Sequence, residues 1–128
     1  MTISIIANFK AKSDQKETLE ALLKSVIEPT LNEEGCLKYE LYISENDSSR
    51  YFFLEEWRSR EDLDIHIASD YIQSLFDNIQ SLIESSDIRS LAKVNSRASN
   101  SPFQQLNSFL DQIVSVYFYT VLLISENI

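Results

Sequence analysis

His66 is the only histidine in the chain, and so the only side chain whose ordinary titration falls near neutrality. Proton-transfer chemistry would centre there. The plainer reading is a buried imidazole satisfied by a backbone carbonyl or by Ser69. Asn8 is a second polar oddity, an amide on a strand face that also carries Ile6. It reads either as a donor pointing into a cavity or as a group bonding backbone and water near the strand end. The single cysteine, Cys36, has no neighbouring base or metal partner in sequence and reads as structural. Glu55 and Glu56 alternate faces of a strand and cannot act together on one bond.

These residues need elements to position them, and residues 34–69 supply the centre of the arrangement. Residues 37–43 and 51–57 are rich in Tyr, Phe, Leu and Ile, as strands are. The polar stretch 44–50 connects them as a hairpin loop. Leu37, Tyr39, Leu41 and Ile43 are expected on one face of the first strand, with Lys38, Glu40 and Tyr42 opposite. Phe52 and Leu54 oppose Tyr51 and Phe53 in the second, so the hairpin is bulky on both faces. A sheet wet on one side shows apolar residues on one face only. Helices can cover one face here, and the other calls for a second sheet or a substrate.

The flanking segments complete the pattern. Residues 2–12 alternate Ile3, Ile5, Ala7 and Phe9 against Ser4, Ile6, Asn8 and Lys10, the signature of a half-buried strand. Asp14 and Glu17 resemble a capping box. Leu19, Leu22, Leu23, Val26, Ile27 and Leu31 follow at helical spacing. Pro29 should bend or end that helix, and Gly35 stands where a left-handed residue would close it. Ser59 and Asp62 cap a short helix through Leu63, His66 and Ile67. After a break at Ser69-Asp70, a second helix carries Ile72, Leu75, Phe76, Ile79, Leu82 and Ile83. Residues 88–94 alternate again as a fourth strand. Strand, helix, strand, strand, helix pair, strand is the α+β, ferredoxin-like βαββαβ order.

Composition narrows the function classes. A net charge of −9 argues against nucleic acid, whose phosphates need a basic patch, and against an anionic membrane surface. One glycine in the chain excludes a glycine-rich phosphate cradle. With a lone cysteine and no basic, cleavable leader in the first twelve residues, a cytoplasmic location is expected. Residues 1–94 read as one domain, 95–102 as a polar linker, and 103–128 as a hydrophobic C-terminal extension. Its run 113–124 is too short to span a bilayer, which takes roughly 20 apolar residues. It is also too apolar to stand in water, so it is expected to dock.

The stretch EEGCLKYELYIS and the later YFFLEEWRSREDLDIHIAS resemble the antibiotic biosynthesis monooxygenase family, including its small quinol monooxygenases. The resemblance rests on E-x-G-C (Glu33, Gly35, Cys36), a strand tyrosine (Tyr39), E-x-W (Glu55, Trp57) and L-x-x-H-x-x-S (Leu63, His66, Ser69). It spans residue 1 to about 94 and implies a dimeric α+β barrel of two such sheets, with a pocket between sheet and helices in each subunit. It also implies oxygenation of a small electron-rich aromatic by dioxygen with no cofactor and no metal, because a deprotonated quinol or phenol can reduce dioxygen itself. On that reading His66 is the base. Trp57 and Asn8 hold the oxyanion, and Tyr39, Phe53 and Tyr71 wall the ring. A tryptophan ending a strand, as Trp57 does, is more often core. Tyr71 departs from the family pattern, since many relatives carry a second histidine there. A haem-degrading branch of the same fold carries an asparagine like Asn8, but it has Trp at the place of His66 and an axial histidine near Phe76. Phe76 cannot ligate iron, so haem would need His66 itself to reach the metal. A third reading is a non-catalytic, ligand-binding or structural dimer, because fold alone never determines function.

Overall fold

A computed structural model describes residues 1–94; the linker and C-terminal extension expected over 95–128 lie outside the described residues. The elements are β1 (Ile3–Ala11), α1 (Lys16–Ser25), α2 (Ile27–Leu31), β2 (Cys36–Ile43), β3 (Arg50–Trp57), α3 (Arg60–Ala68), α4 (Asp70–Ile79), a 3-10 turn (Gln80–Leu82) and β4 (Ile83–Leu91). The strands form one antiparallel sheet in the order β2-β3-β1-β4, with the helices packed on one side. This is the βαββαβ ferredoxin-like arrangement. Among the described residues no helix is long and apolar enough to cross a membrane.

Period-two alternation sets what each face does. Ile3, Ile5, Ala7, Phe9 and Ala11 of β1, with Tyr51, Phe53, Glu55 and Trp57 of β3, are buried under the helices. Leu19, Leu23, Leu63, Ile72, Leu75 and Ile79 press onto them from the helical side. Each such large apolar side chain contributes about 1.5–3 kcal/mol on leaving water. On the far face, Ile6, Phe52 and Leu54 are half-buried, with Ile6 directly across from Leu54. Both sides of the central strands therefore carry large apolar residues, the far side among polar ones.

As expected of Pro29, the first long helix breaks near its end: it divides at Val26, because Pro29 offers no N–H to the carbonyl of Ser25 and its ring crowds that carbonyl. Three local expectations are corrected. Asp14 does not cap: it takes a left-handed φ of 68°, and no side chain caps α1. Leu37 leaves the inward face, since the β2–β3 register slips between Cys36 and Lys38. Leu37 becomes the extra residue of a bulge, 54% exposed, and Cys36 and Tyr39 turn toward the helices opposite Trp57 and Glu55. Finally, β4 begins at Ile83 rather than Ile88. Its Ser and Asp residues are weak strand formers, but pairing of Ser86 with Phe9 and Asp87 with Asn8 overrides local preference.

Candidate active site

The turn between α2 and β2 approaches the start of α3 closely enough that Gly35 must be glycine. A Cβ placed there would lie 2.1 Å from Cγ and 2.2 Å from Cβ of Asp62. The sequence pattern suggests a left-handed residue at Gly35, yet its φ is not positive; the requirement is space. The N–H of Arg58 donates to the Gly35 carbonyl at 2.9 Å. The Arg58 guanidinium reaches both Asp62 and Glu34. Ser59 caps α3 by accepting from the Asp62 N–H at 3.2 Å.

One helical turn beyond Asp62, on the same side of α3, His66 meets Glu33. Its Nδ1 lies 2.6 Å from Glu33 Oε2. A carboxylate oxygen only accepts, so Nδ1 carries the proton of the neutral ring and Nε2 holds its lone pair. The Tyr71 hydroxyl, from the first turn of α4, donates to the same Glu33 oxygen and stands 3.2 Å from Thr30 Oγ1. Ser69, a candidate partner for the imidazole in the plainer reading, instead donates to the His66 carbonyl at 2.6 Å.

Aromatic rings close around His66. Trp57 lies 4.4 Å away between centroids, Tyr39 5.5 Å and Tyr71 6.2 Å. Phe53 stacks against Tyr39 at 4.6 Å. The Trp57 indole N–H donates to Glu55 Oε2 at 2.9 Å, so this donor faces a buried carboxyl rather than open space. Asn8 lies on the opposite face of the sheet, paired with Phe52 and Asp87. Its Oδ1 accepts from Arg50 Nη1 at 3.3 Å. The fold thus brings His66, Trp57, Tyr39, Phe53 and Tyr71 together and sends Asn8 elsewhere. Asn8 and His66 cannot grip one haem within a protomer, which removes the match that favoured the haem-degrading branch.

Burial shapes the electrostatics. It lowers the His66 pKa, and the bond and charge of Glu33 oppose that shift without reversing it. The resting imidazole is therefore neutral, the form a base needs. Burial pushes Glu55 up to about 7, helped by the Glu33 charge and opposed by the Trp57 N–H. Burial also pushes Tyr71 up to about 12, with Glu33 adding to it, and holds Tyr39 well above the ordinary phenol range. Cys36 is pushed up to about 11, again chiefly by burial, so it stays a thiol as a structural cysteine should. Among the described residues no three His, Cys, Asp or Glu side chains group as metal ligands. The ordinary titration range marks His66 in the sequence. Glu55 is weighed for chemistry there only with Glu56, and Glu33 enters only through the E-x-G-C motif, because the bonds that single them out join residues distant in sequence or depend on burial.

A family model described as antibiotic biosynthesis monooxygenase matches residues 2–78. Protein sll1783 of Synechocystis is 35% identical over 81 residues, covering 63% of this chain and 55% of that one. Rv0793 of Mycobacterium tuberculosis is 40% identical over 67 residues, covering 52% of this chain and 65% of its own length. The matches thus span less than two thirds of these relatives. The solved structure of Rv0793 superposes with a TM-score of 0.70 over 77% of this chain and 100% of its own. The structure of SO0527 from Shewanella oneidensis gives 0.70 at 33% identity, covering 72% of this chain and 90% of that one.

Proposed function

The chain belongs to the antibiotic biosynthesis monooxygenase family, and from that premise we propose that it is a cofactor-independent monooxygenase of small, electron-rich quinols or phenols. The observation that carries this reading is the bond between buried His66 and half-buried Glu33, 2.6 Å long, with Trp57, Tyr39 and Tyr71 around the imidazole. A neutral imidazole with its Nδ1–H committed to a carboxylate presents Nε2 as a base in a defined tautomer. His66 takes the substrate hydroxyl proton there. Glu33 supports the imidazolium that results, and this cation faces the new substrate oxyanion. The anion then reduces dioxygen without help from a metal or flavin. Tyr39, Phe53 and Tyr71 offer the apolar walls that a flat ring needs. Asn8, turned to the other face, has no part in this reading.

The half-buried Ile6, Phe52 and Leu54 on the far face support a dimer in which two sheets pack face to face and complete an α+β barrel. The thiol form of Cys36 fits a reducing, cytoplasmic setting. Oxygen uptake with a panel of hydroquinones and hydroxylated polycyclics tests the activity. Turnover by the native protein that drops about a hundredfold in His66→Ala is expected. Equal rates in the two would leave a binding module instead.

A further inference from the structure

Resting on the oxygenase reading, we propose that Glu55 is the second proton-handling group of this site. It holds a proton in the resting protein and delivers it to the hydroxide released when the O–O bond of the substrate hydroperoxide breaks.

The geometry places it for that task. Strand alternation turns Glu55 inward on β3, where it is 8% exposed. Its Oε2 takes the Trp57 N–H at 2.9 Å, and the same indole lies 4.4 Å from the His66 ring. His66 and Glu55 therefore both touch one tryptophan, the imidazole against its ring and the carboxyl on its N–H. The titratable groups that act on Glu55 are Glu33 on the α2–β2 turn and Cys36 and Tyr39 on β2; His66 on α3 lies against Trp57 and Tyr71 on α4 beside His66. None of these is a lysine or arginine, and its β1 neighbour across the sheet is Ile5. A buried carboxyl that, among the described residues, has a single N–H donor and no adjacent cation favours its protonated form. Environments that push a buried histidine and a buried glutamate in opposite directions mark a base and an acid.

The chemistry requires such an acid. His66 takes the phenolic proton, and the phenolate gives one electron to dioxygen. The two radicals couple through a new C–O bond, and the resulting peroxide anion reclaims the proton from His66. His66 next removes the hydrogen on that carbon. Those C–H electrons form C=O, the O–O bond breaks, and hydroxide leaves with the Glu55 proton as water. The His66 imidazolium then returns its proton to Glu55. The sum is phenol plus dioxygen giving quinone plus water.

Glu55→Gln tests this, because the amide oxygen still accepts from Trp57 but carries no acidic proton. Oxygen uptake on hydroquinone and naphthohydroquinone should show kcat down about a hundredfold with KM little changed. The alkaline limb of the native kcat profile should vanish in the variant. By NMR, the Trp57 indole N–H should titrate in the native protein with a midpoint near 7 and stay flat in Glu55→Gln. Native turnover with kcat unchanged in the variant, or an indole that does not titrate, overturns the role of Glu55 alone. No uptake by the native protein overturns the oxygenase reading, and this role falls with it.

Discussion

His66 Nδ1 stands 2.6 Å from Glu33 Oε2 across 33 positions of sequence, because a glycine lets one turn approach one helix. Gly35 sits against Asp62, and a helical turn later the imidazole falls beside the carboxylate. The imidazole and the carboxylate are thereby brought together by close packing of the turn against the helix.

Glu33→Gln should move the His66 titration further down. Burial lowers that pKa from 6.5 and Glu33 opposes the shift, so removing the charge leaves burial nearly alone. The NMR midpoint of the imidazole should fall, and the acid limb of oxygen uptake should follow it. Loss of the orienting carboxylate should reduce kcat about tenfold or more. A midpoint that rises would break the pair.

Glu55 makes stability depend on pH in a definite direction. Its folded pKa is raised from 4.5 to about 7, so the folded state binds more protons between those values. Its stabilising effect is complete below 4.5 and is lost as pH climbs to about 7, a change on the order of 3 kcal/mol. His66 runs the other way. Its lowered pKa leaves stability intact above 6.5 and erodes it below. Comparing urea midpoints of the native protein and Glu55→Gln cancels the histidine contribution. The variant should gain on the native protein as pH rises through this window, and parallel curves would refute the assignment.

Gly35→Ala should destabilise the fold by about 1–3 kcal/mol. The added methyl meets Asp62 Cγ, Cβ and Oδ1 within 2.6 Å, and Asp62 is held by Arg58 and by Ser59. The start of α3 must shift, which should also alter the His66 titration. Denaturant midpoints and the imidazole shift report the two effects separately. An alanine variant of native stability would mean that the turn has room the packing does not show.

Leu54→Glu should dissociate the proposed dimer and leave the fold intact. Leu54 lies across from Ile6 on the far face, so a charge there enters the sheet-to-sheet contact and not the helical core. Analytical ultracentrifugation should find two native chains together and the variant alone, with matching circular dichroism. A native protein that sediments as a single chain would remove the barrel.

Much of the frame was legible from periodicity, because burial follows alternation and helical spacing directly. β1 and β3 lie where their alternating residues put them, and Ser59 caps α3 as its spacing implies. The misreadings arose where partners distant in sequence decide. Nothing local marks the bulge that expels Leu37 or the pairing that draws the polar residues 84–87 into β4. The inward company of His66 was legible from strand parity at Tyr39, Phe53 and Trp57. Asn8 shares β1 with the buried Ile5 and Ala7, yet only the side on which the helices pack determines which of its two faces meets the imidazole.

The sequence by itself determined the kinds of groups available and the order of elements: one imidazole, an aromatic hairpin, and strands and helices set by the spacing of apolar residues. Only the tertiary structure decided that Glu33 orients His66, that Trp57 faces Glu55, and that Asn8 stands apart. The reason is physical. Side-chain periodicity is a property of neighbours along the chain. Hydrogen bonds, burial and the titration they shift depend on groups that folding brings together from far along it.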